Sequence, residues 1–334
     1  MVSSTLHAQE TSVFNTQQLQ PSARIGAMGG NFFAVKDGDV SMAYINPSSI
    51  DSSMHGKLSL SYLDFFSKTN FGYAAYGRNI NSKLSTAATV QFVSHGTMEA
   101  YDALGNQTGT FSAGDYFLNL GAGYKMDSLW TIGANARILY SNIAELNSLA
   151  IATDFAATFH QPRRNLTITG IIRNVGIQLN SFHGTREKIP FEFQVGITKK
   201  PKYAPFRFSV VADNLQTWDL RYNSDLNQPE IDPVTGEVLE STRWEFGDIF
   251  MRHIIFGTEF LLGENIVIRG AYNYRRRQEL KVEDKPGMAG FSFGLGFGIK
   301  KFRFNYSRAI YHLAGPANHF TVDVNIHDVI RPAK

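Results

Sequence analysis

The sequence predicts an all-β fold, a transmembrane antiparallel β-barrel of about 14 strands closed around its own N-terminal segment. Three observations predict it. Apolar and polar residues alternate with a period of two along many segments, as they do when successive side chains point to opposite faces of a strand. Many of these segments exceed the usual 5 or 6 residues or so, which suits strands tilted across a bilayer. The connections between them also alternate, one set tight and the other including long loops, matching the short periplasmic turns and longer outer loops of outer-membrane barrels.

The alternation is clearest near the C-terminus. Phe291, Phe293, Leu295, Phe297 and Ile299 share one face, opposite Ser292, Gly294, Gly296, Gly298 and Lys300. Phe302, Phe304 and Tyr306 repeat the pattern, as do Phe320, Val322, Val324 and Ile326. Earlier runs are Trp130 to Tyr140, Phe191 to Ile197 and Phe206 to Val210. Together these signals place strands near 57–66, 70–80, 83–101, 107–125, 129–144, 148–160, 165–179, 189–199, 205–216, 250–262, 265–275, 288–300, 301–310 and 318–327. The long connections are then 180–188, 217–249, 276–287 and 311–317. An even strand number puts both termini on the trimmed rim, expected to be periplasmic. Water is absent from the bilayer core, so a sheet there must close on itself. Its apolar face meets lipid, and Arg137, Glu192, Arg207, Arg303 and Asp323 face a polar interior.

Composition narrows the functional classes. The chain has 334 residues, 26 Phe, 14 Tyr and no Cys, which excludes disulfides, thiolate metal sites and cysteine nucleophiles. A net charge of +3, with basic residues scattered through turns, argues against a nucleic-acid partner. No stretch approaches the roughly 18 apolar residues of a membrane-spanning helix. The 9 His residues show no HExxH-type spacing, so His95, His253 and His319 are read as structural or solvated. Ser94 and His95 are adjacent and so point to opposite faces of a strand. No enzyme, metal or cofactor is expected.

The chain divides into a signal remnant or disordered N-terminus at 1–19, a plug segment at 20–56, the barrel at 57–327 and a tail at 328–334. Residues 21–30 are mostly small and suit packing inside a narrow lumen. A short strand and turn are expected through Asp37, Gly38 and Asp39.

Ser22-Ala23-Arg24, Ala27-Met28-Gly29-Gly30-Asn31, Lys36-Asp37-Gly38-Asp39 and Asn46-Pro47-Ser48 resemble the entry of barrels related to the long-chain fatty-acid transporter FadL. More narrowly, with Asp102, Gly105-Asn106, Thr108-Gly109, Phe111 and Asp115-Tyr116, the chain is similar to the PorQ group, outer-membrane components of the type IX secretion system of Bacteroidetes. That resemblance covers the chain from about Gln20 onward. It implies a 14-stranded barrel that anchors a PorZ-like surface protein beside PorU and PorV. Outer-membrane barrels usually end in an aromatic residue, and here the chain runs past Phe320 and Ile326 to Lys334.

The connection from Thr217 to Gly247 is the candidate for partner recognition, because loops on a rigid scaffold carry binding residues. Trp218, Tyr222, Arg243 and Trp244 are its candidate contacts. Arg275, Arg276 and Arg277 fall on the same side, where lipopolysaccharide phosphates would attract them. The alternative function is a transporter of hydrophobic small molecules. Gly121 and Gly123, or Gly294, Gly296 and Gly298, would supply either a lateral gap or room for the plug.

Overall fold

The computed structural model describes residues 13–65, 69–182, 184–221, 245–280, 287–312 and 315–330. Fourteen antiparallel strands form one closed barrel in which each strand pairs with its sequence neighbours and the last pairs with the first. They are β1 (Lys57–Asp64), β2 (Asn70–Asn79), β3 (Leu84–Tyr101), β4 (Gln107–Lys125), β5 (Trp130–Ile143), β6 (Leu146–Gln161) and β7 (Leu166–Asn180). The second half comprises β8 (Glu192–Lys199), β9 (Phe206–Ala212), β10 (Ile254–Leu262), β11 (Ile266–Asn273), β12 (Phe291–Ile299), β13 (Phe302–His312) and β14 (Gly315–Asn325). Closure is made by Lys57 opposite Asn325 through Asp64 opposite Asn318.

Alternation determines which side chains meet lipid. Along β12 the phenylalanines stand outward while Ser292, Gly294 and Gly296 are buried against the interior. Leu60, Leu120, Ile138, Phe155 and Phe208 are exposed in the same way on other strands. In water such a wall would be an aggregation hazard; in a bilayer it is the solvated face. Aromatic pairs gather toward each rim: Trp130–Phe159 at 5.2 Å, Phe206–Phe260 at 4.8 Å and Phe297–Phe304 at 5.3 Å on one, Tyr116–Tyr140 at 6.3 Å and Tyr306–Phe320 at 5.1 Å on the other. Tyr116 and Tyr124 mark both levels on β4. Eight residues at about 3.3 Å each and a ~40° tilt separate them by roughly 20 Å, close to the apolar band of a barrel.

One rim carries the turns 80–83, 126–129, 162–165, 200–205, 263–265 and 300–301 and is trimmed, as expected. On the other rim, 181–191, 213–253 and 274–290 are elaborated. Within the expected long connection at 311–317, residues 311–312 belong to β13 and 315–317 to β14. A helix, Glu245–Arg252, replaces the start of the strand expected at 250, and the strand expected to reach 275 stops at Asn273.

Helix α1 (Ala23–Ala27) belongs to the N-terminal segment. Helices α2 (Glu245–Arg252) and α3 (Tyr274–Leu280) sit on the elaborated rim, and α4 (Ile326–Ile330) follows β14. Packing begins earlier than the expected boundary at residue 20. Phe14 and Gln17 are fully buried, and Asn15–Gln18 form a 3-10 helix, so residues 13–19 belong with the interior segment. Residues 31–39 make no strand; Gly38 instead takes a positive φ of 75° beside the 3-10 helix Val40–Tyr44.

Candidate functional site

The interior of the barrel is occupied by residues 13–56, most of whose side chains are buried against inward-facing wall residues. The segment enters at the elaborated rim, where the Val13 amide donates to Glu187 at 2.7 Å. It leaves at the trimmed rim through Gly56, whose amide bonds Gly77 O. The first described residues and the C-terminal helix α4 therefore lie at opposite rims, whereas the sequence pattern put both termini on the trimmed one.

Small wall residues make the close fit possible. A Cβ on Gly133 would stand 2.3 Å from the Pro47 carbonyl carbon, and one on Gly123 would stand 2.1 Å from Ile50 O. Gly77 faces Met54 O, and Gly294 faces the Ala27 methyl. Of the glycines the sequence left open between a lateral gap and room for the segment, Gly121, Gly123 and Gly294 supply room. Gly296 instead meets Asn305 and Arg269.

Apolar packing joins segment to wall in one continuous cluster. Phe14, Ile25, Met28, Phe33, Ile50 and Met54 meet Phe71, Phe117, Leu139, Ile171, Val211 and Ile255. Burying side chains of this size stabilises by about 1.5–3 kcal/mol each. Polar latches interrupt the seam at four levels.

The largest latch surrounds Arg24. Its guanidinium bonds Glu259 of β10 at 2.9 and 3.0 Å, Asp37 at 2.8 and 3.1 Å, and Asp39 at 3.0 Å. Arg207 of β9 reaches both Asp37 and Glu259 at 2.8 Å, and Arg269 of β11 reaches Glu259 at 2.9 Å. Three cations thus face three carboxylates. Burial disfavours charge on Asp37, but Arg24 and Arg207 outweigh it and hold that carboxyl far below the usual carboxylate range. Burial likewise opposes charge on Arg24, and its three carboxylates raise it above its ordinary value. A cavity of about 420 Å³, bordered by Lys57, Arg303 and Asp323, opens from this latch toward the trimmed rim.

The second latch uses a break in the sheet. Asn174 takes a positive φ of 61° and the β6–β7 register shifts between Thr153 and Phe155, so the ladder loses its pairing at Asp154. The Asp154 carboxylate fills that gap, accepting from the Asn174 amide at 2.9 Å and pairing with Arg137 at 2.5 Å. Arg137 donates in turn to Tyr44 O and lies 4.2 Å over the Tyr44 ring. Burial pushes the Tyr44 phenol up. Both charged side chains are fully buried, so removing either partner would leave an uncompensated charge.

The third is a hydroxyl chain. Asn46 caps the 3-10 turn Pro47–Ser49, and Ser48 Oγ contacts Thr158 Oγ1 of β6 at 2.7 Å. The fourth lies near the elaborated rim, where Thr16 Oγ1 donates to Asp115 at 2.7 Å. His95, displaced by a bulge between Ser94 and Thr97, bonds the same carboxylate at 3.1 Å. Of the other histidines, His253 bonds the carbonyls of Asp213 and Trp218, and His319 is buried near Phe71. Among the described residues no group of three His, Asp or Glu is placed to hold a metal ion.

Of the expected partner-binding residues, Trp218 stands on the elaborated rim, half exposed and stacked 5.6 Å from His253. Tyr222, Arg243 and Trp244 lie outside the described residues. Sequence reasoning missed Phe246 and Phe250 of α2, stacked at 6.5 Å and both exposed; their spacing of four in a helical turn was the available signal. The three arginines turn toward the chain itself. Arg276 donates to Gly29 O and Ser292, Arg277 donates to the carbonyls of Gly287 and Ala289, and Arg275 borders an interior cavity beside Glu192.

No protein-family model matches the chain, and no curated protein matches it in sequence. In fold it is similar to the toluene transporter TbuX of Ralstonia pickettii, with a TM-score of 0.54 and 12% identity over 93% of this chain and 98% of that one. The toluene transporter TodX of Pseudomonas putida matches with a TM-score of 0.50 and 11% identity over 90% and 96% of the two chains. At such identities the shared property is the barrel fold.

Proposed function

We propose that this chain is an outer-membrane barrel that admits small hydrophobic molecules, with residues 13–56 as its gate. The observation that carries this reading is the near full-length correspondence with two toluene transporters. The continuous apolar seam between segment and wall supports it, because an apolar solute entering there exchanges contacts with Phe, Ile and Met side chains instead of water. The trimmed rim is assigned to the periplasm and the elaborated rim to the exterior, following the loop-length rule. The test is uptake of ¹⁴C-toluene by cells carrying the protein in their outer membrane, compared with cells lacking it. Faster uptake is expected, and equal rates would overturn the reading.

A second reading is favoured by the exposed aromatic group Trp218, Phe246 and Phe250 on the elaborated rim, the residue types that dominate protein interfaces. In this reading the barrel anchors a PorZ-like surface protein of type IX secretion, with PorU and PorV in the same complex. Affinity capture from detergent-solubilised membranes should then recover those proteins, and Trp218→Ala with Phe246→Ala should abolish recovery. Unchanged recovery with the double variant would sink it. Lipopolysaccharide contact through Arg275, Arg276 and Arg277 draws no support from their positions, because Arg276 and Arg277 already donate to the chain's own carbonyls.

A further inference from the structure

Basic residues crowd two neighbouring turns of the trimmed rim. The β6–β7 turn carries Arg163 and Arg164, and the end of β8 with its following turn carries Lys199, Lys200 and Lys202. No acidic residue lies in either stretch. All but Lys200 are exposed, and Lys202 sits 5.3 Å over the exposed ring of Tyr203. The same rim is not uniformly basic, since the β10–β11 turn offers Glu264 and the β4–β5 turn Asp127.

The wall leading away from these turns is hollowed. An apolar groove of about 600 Å³ runs across the outer face of β4 to β8. Its floor is made by small outward residues, Ala134 and Ala157 with Gly170, and its sides by Phe155, Ile172 and Phe193. A Cβ built on Gly170 would meet nothing within 4 Å, so the hollow is open at that point. Gly170 is four residues from Leu166, which pairs with Lys199. At about 3.3 Å per residue the groove therefore begins roughly 13 Å from the basic turns.

That separation matches a lipid whose acyl chain lies in the groove and whose phosphate sits at the rim. An aromatic level lies between them, with Phe159 and Trp130 at 5.2 Å, where a membrane interface belongs. Each Lys or Arg beside an anionic leaflet adds attraction to its headgroups. The two features are independent, one of charge and one of shape, and they adjoin on the same strands.

We propose that the outer face of β6 to β8 is a seat for one anionic phospholipid, its phosphate held by Arg163, Arg164, Lys200 and Lys202 and one acyl chain laid over Gly170 and Ala157. The seat goes beyond the transport reading and does not depend on it. Occupancy would bind neighbouring turns to a single headgroup and hold the barrel in the leaflet facing the trimmed rim.

Native mass spectrometry of the full chain released from nanodiscs of phosphatidylglycerol and phosphatidylethanolamine, with and without added lipopolysaccharide, tests this. The wild-type protein should retain one phosphatidylglycerol. Arg163→Glu with Arg164→Glu should lower retention at least tenfold by removing the phosphate site. Gly170→Leu should lower it comparably by filling the groove while leaving every charge in place. Lys300→Glu, on the same rim in the β12–β13 turn and away from the groove, should retain the lipid. Loss in Lys300→Glu equal to that in the paired arginine variant, retention unaffected by Gly170→Leu, or replacement of phosphatidylglycerol by lipopolysaccharide would each overturn the proposal.

Discussion

Replacing Arg24 by Met removes the cation that ties the interior segment to β10 while keeping a long side chain over Phe32. Five hydrogen bonds are lost, two to Glu259, two to Asp37 and one to Asp39. The cluster changes from three cations and three carboxylates to two and three. Breaking a buried ion pair typically costs about 3–5 kcal/mol. Glu259 keeps Arg207 and Arg269, and Asp37 keeps Arg207, so the lower end, about 3 kcal/mol, applies here. Because the wall's own ladder is untouched, this cost falls on docking of the segment. At about 1.4 kcal/mol per tenfold, the undocked population rises roughly 100-fold. Hydrogen exchange in detergent reads it directly through the amides of Gly26, Met28 and Gly30, which bond Ser22 O, Arg24 O and Ile25 O. Their protection should fall about 100-fold while β4 to β6 amides stay within about twofold. Unchanged protection of those three amides, or equal loss along the wall, would refute the latch.

Two further outcomes follow from the same geometry. Gly133→Val places a side chain against the Pro47 backbone, which cannot yield as a flexible side-chain tip would. Overpacking of this kind costs about 1–3 kcal/mol, and exchange of the 46–50 amides should rise before that of β5. The pH response follows from Asp37, whose ordinary value of 3.8 is depressed in the folded chain. A depressed carboxyl contributes stability above its unfolded value and loses it as pH falls through the folded one. The Asp37 contribution to protection of segment amides should therefore be flat from pH 8 to about 5 and fall only in strong acid, below the unfolded value. A loss centred near pH 6 would mean that another group controls docking.

The barrel was legible because the wall obeys one rule along its length. Phe291 to Ile299 alternates in the structure as it does in the sequence, and all fourteen strands fall near their expected places. The departures occur where that rule stops applying. Phe246, Ile249 and Phe250 follow a helical period that the neighbouring strand pattern concealed. Phe14 and Gln17 looked like part of a polar N-terminus, since nothing local shows that Phe14 meets a cluster reaching Leu139 and Phe117. The Arg24 latch was only half visible: Arg24, Asp37 and Asp39 stood in the family-like motifs, and Arg207 was assigned inward. Glu259 and Arg269 were overlooked, although each is a lone charge at an inward position of an apolar strand, a placement that requires a partner. Partner choice across 235 residues of chain depends on barrel closure, which no local pattern encodes.

The chain has no cysteine, so a cross-link can be introduced without competition. Ser48 and Thr158 bring segment and wall hydroxyls to 2.7 Å, and cysteines at both positions should form a disulfide that pins residues 46–50 to β6. The decisive measurement is ¹⁴C-toluene uptake by cells carrying Ser48→Cys with Thr158→Cys, oxidised and then reduced. If the segment is the gate, uptake falls to that of cells without the protein on oxidation and returns on reduction. Uptake that is the same in both states, whether fast or absent, would contradict it.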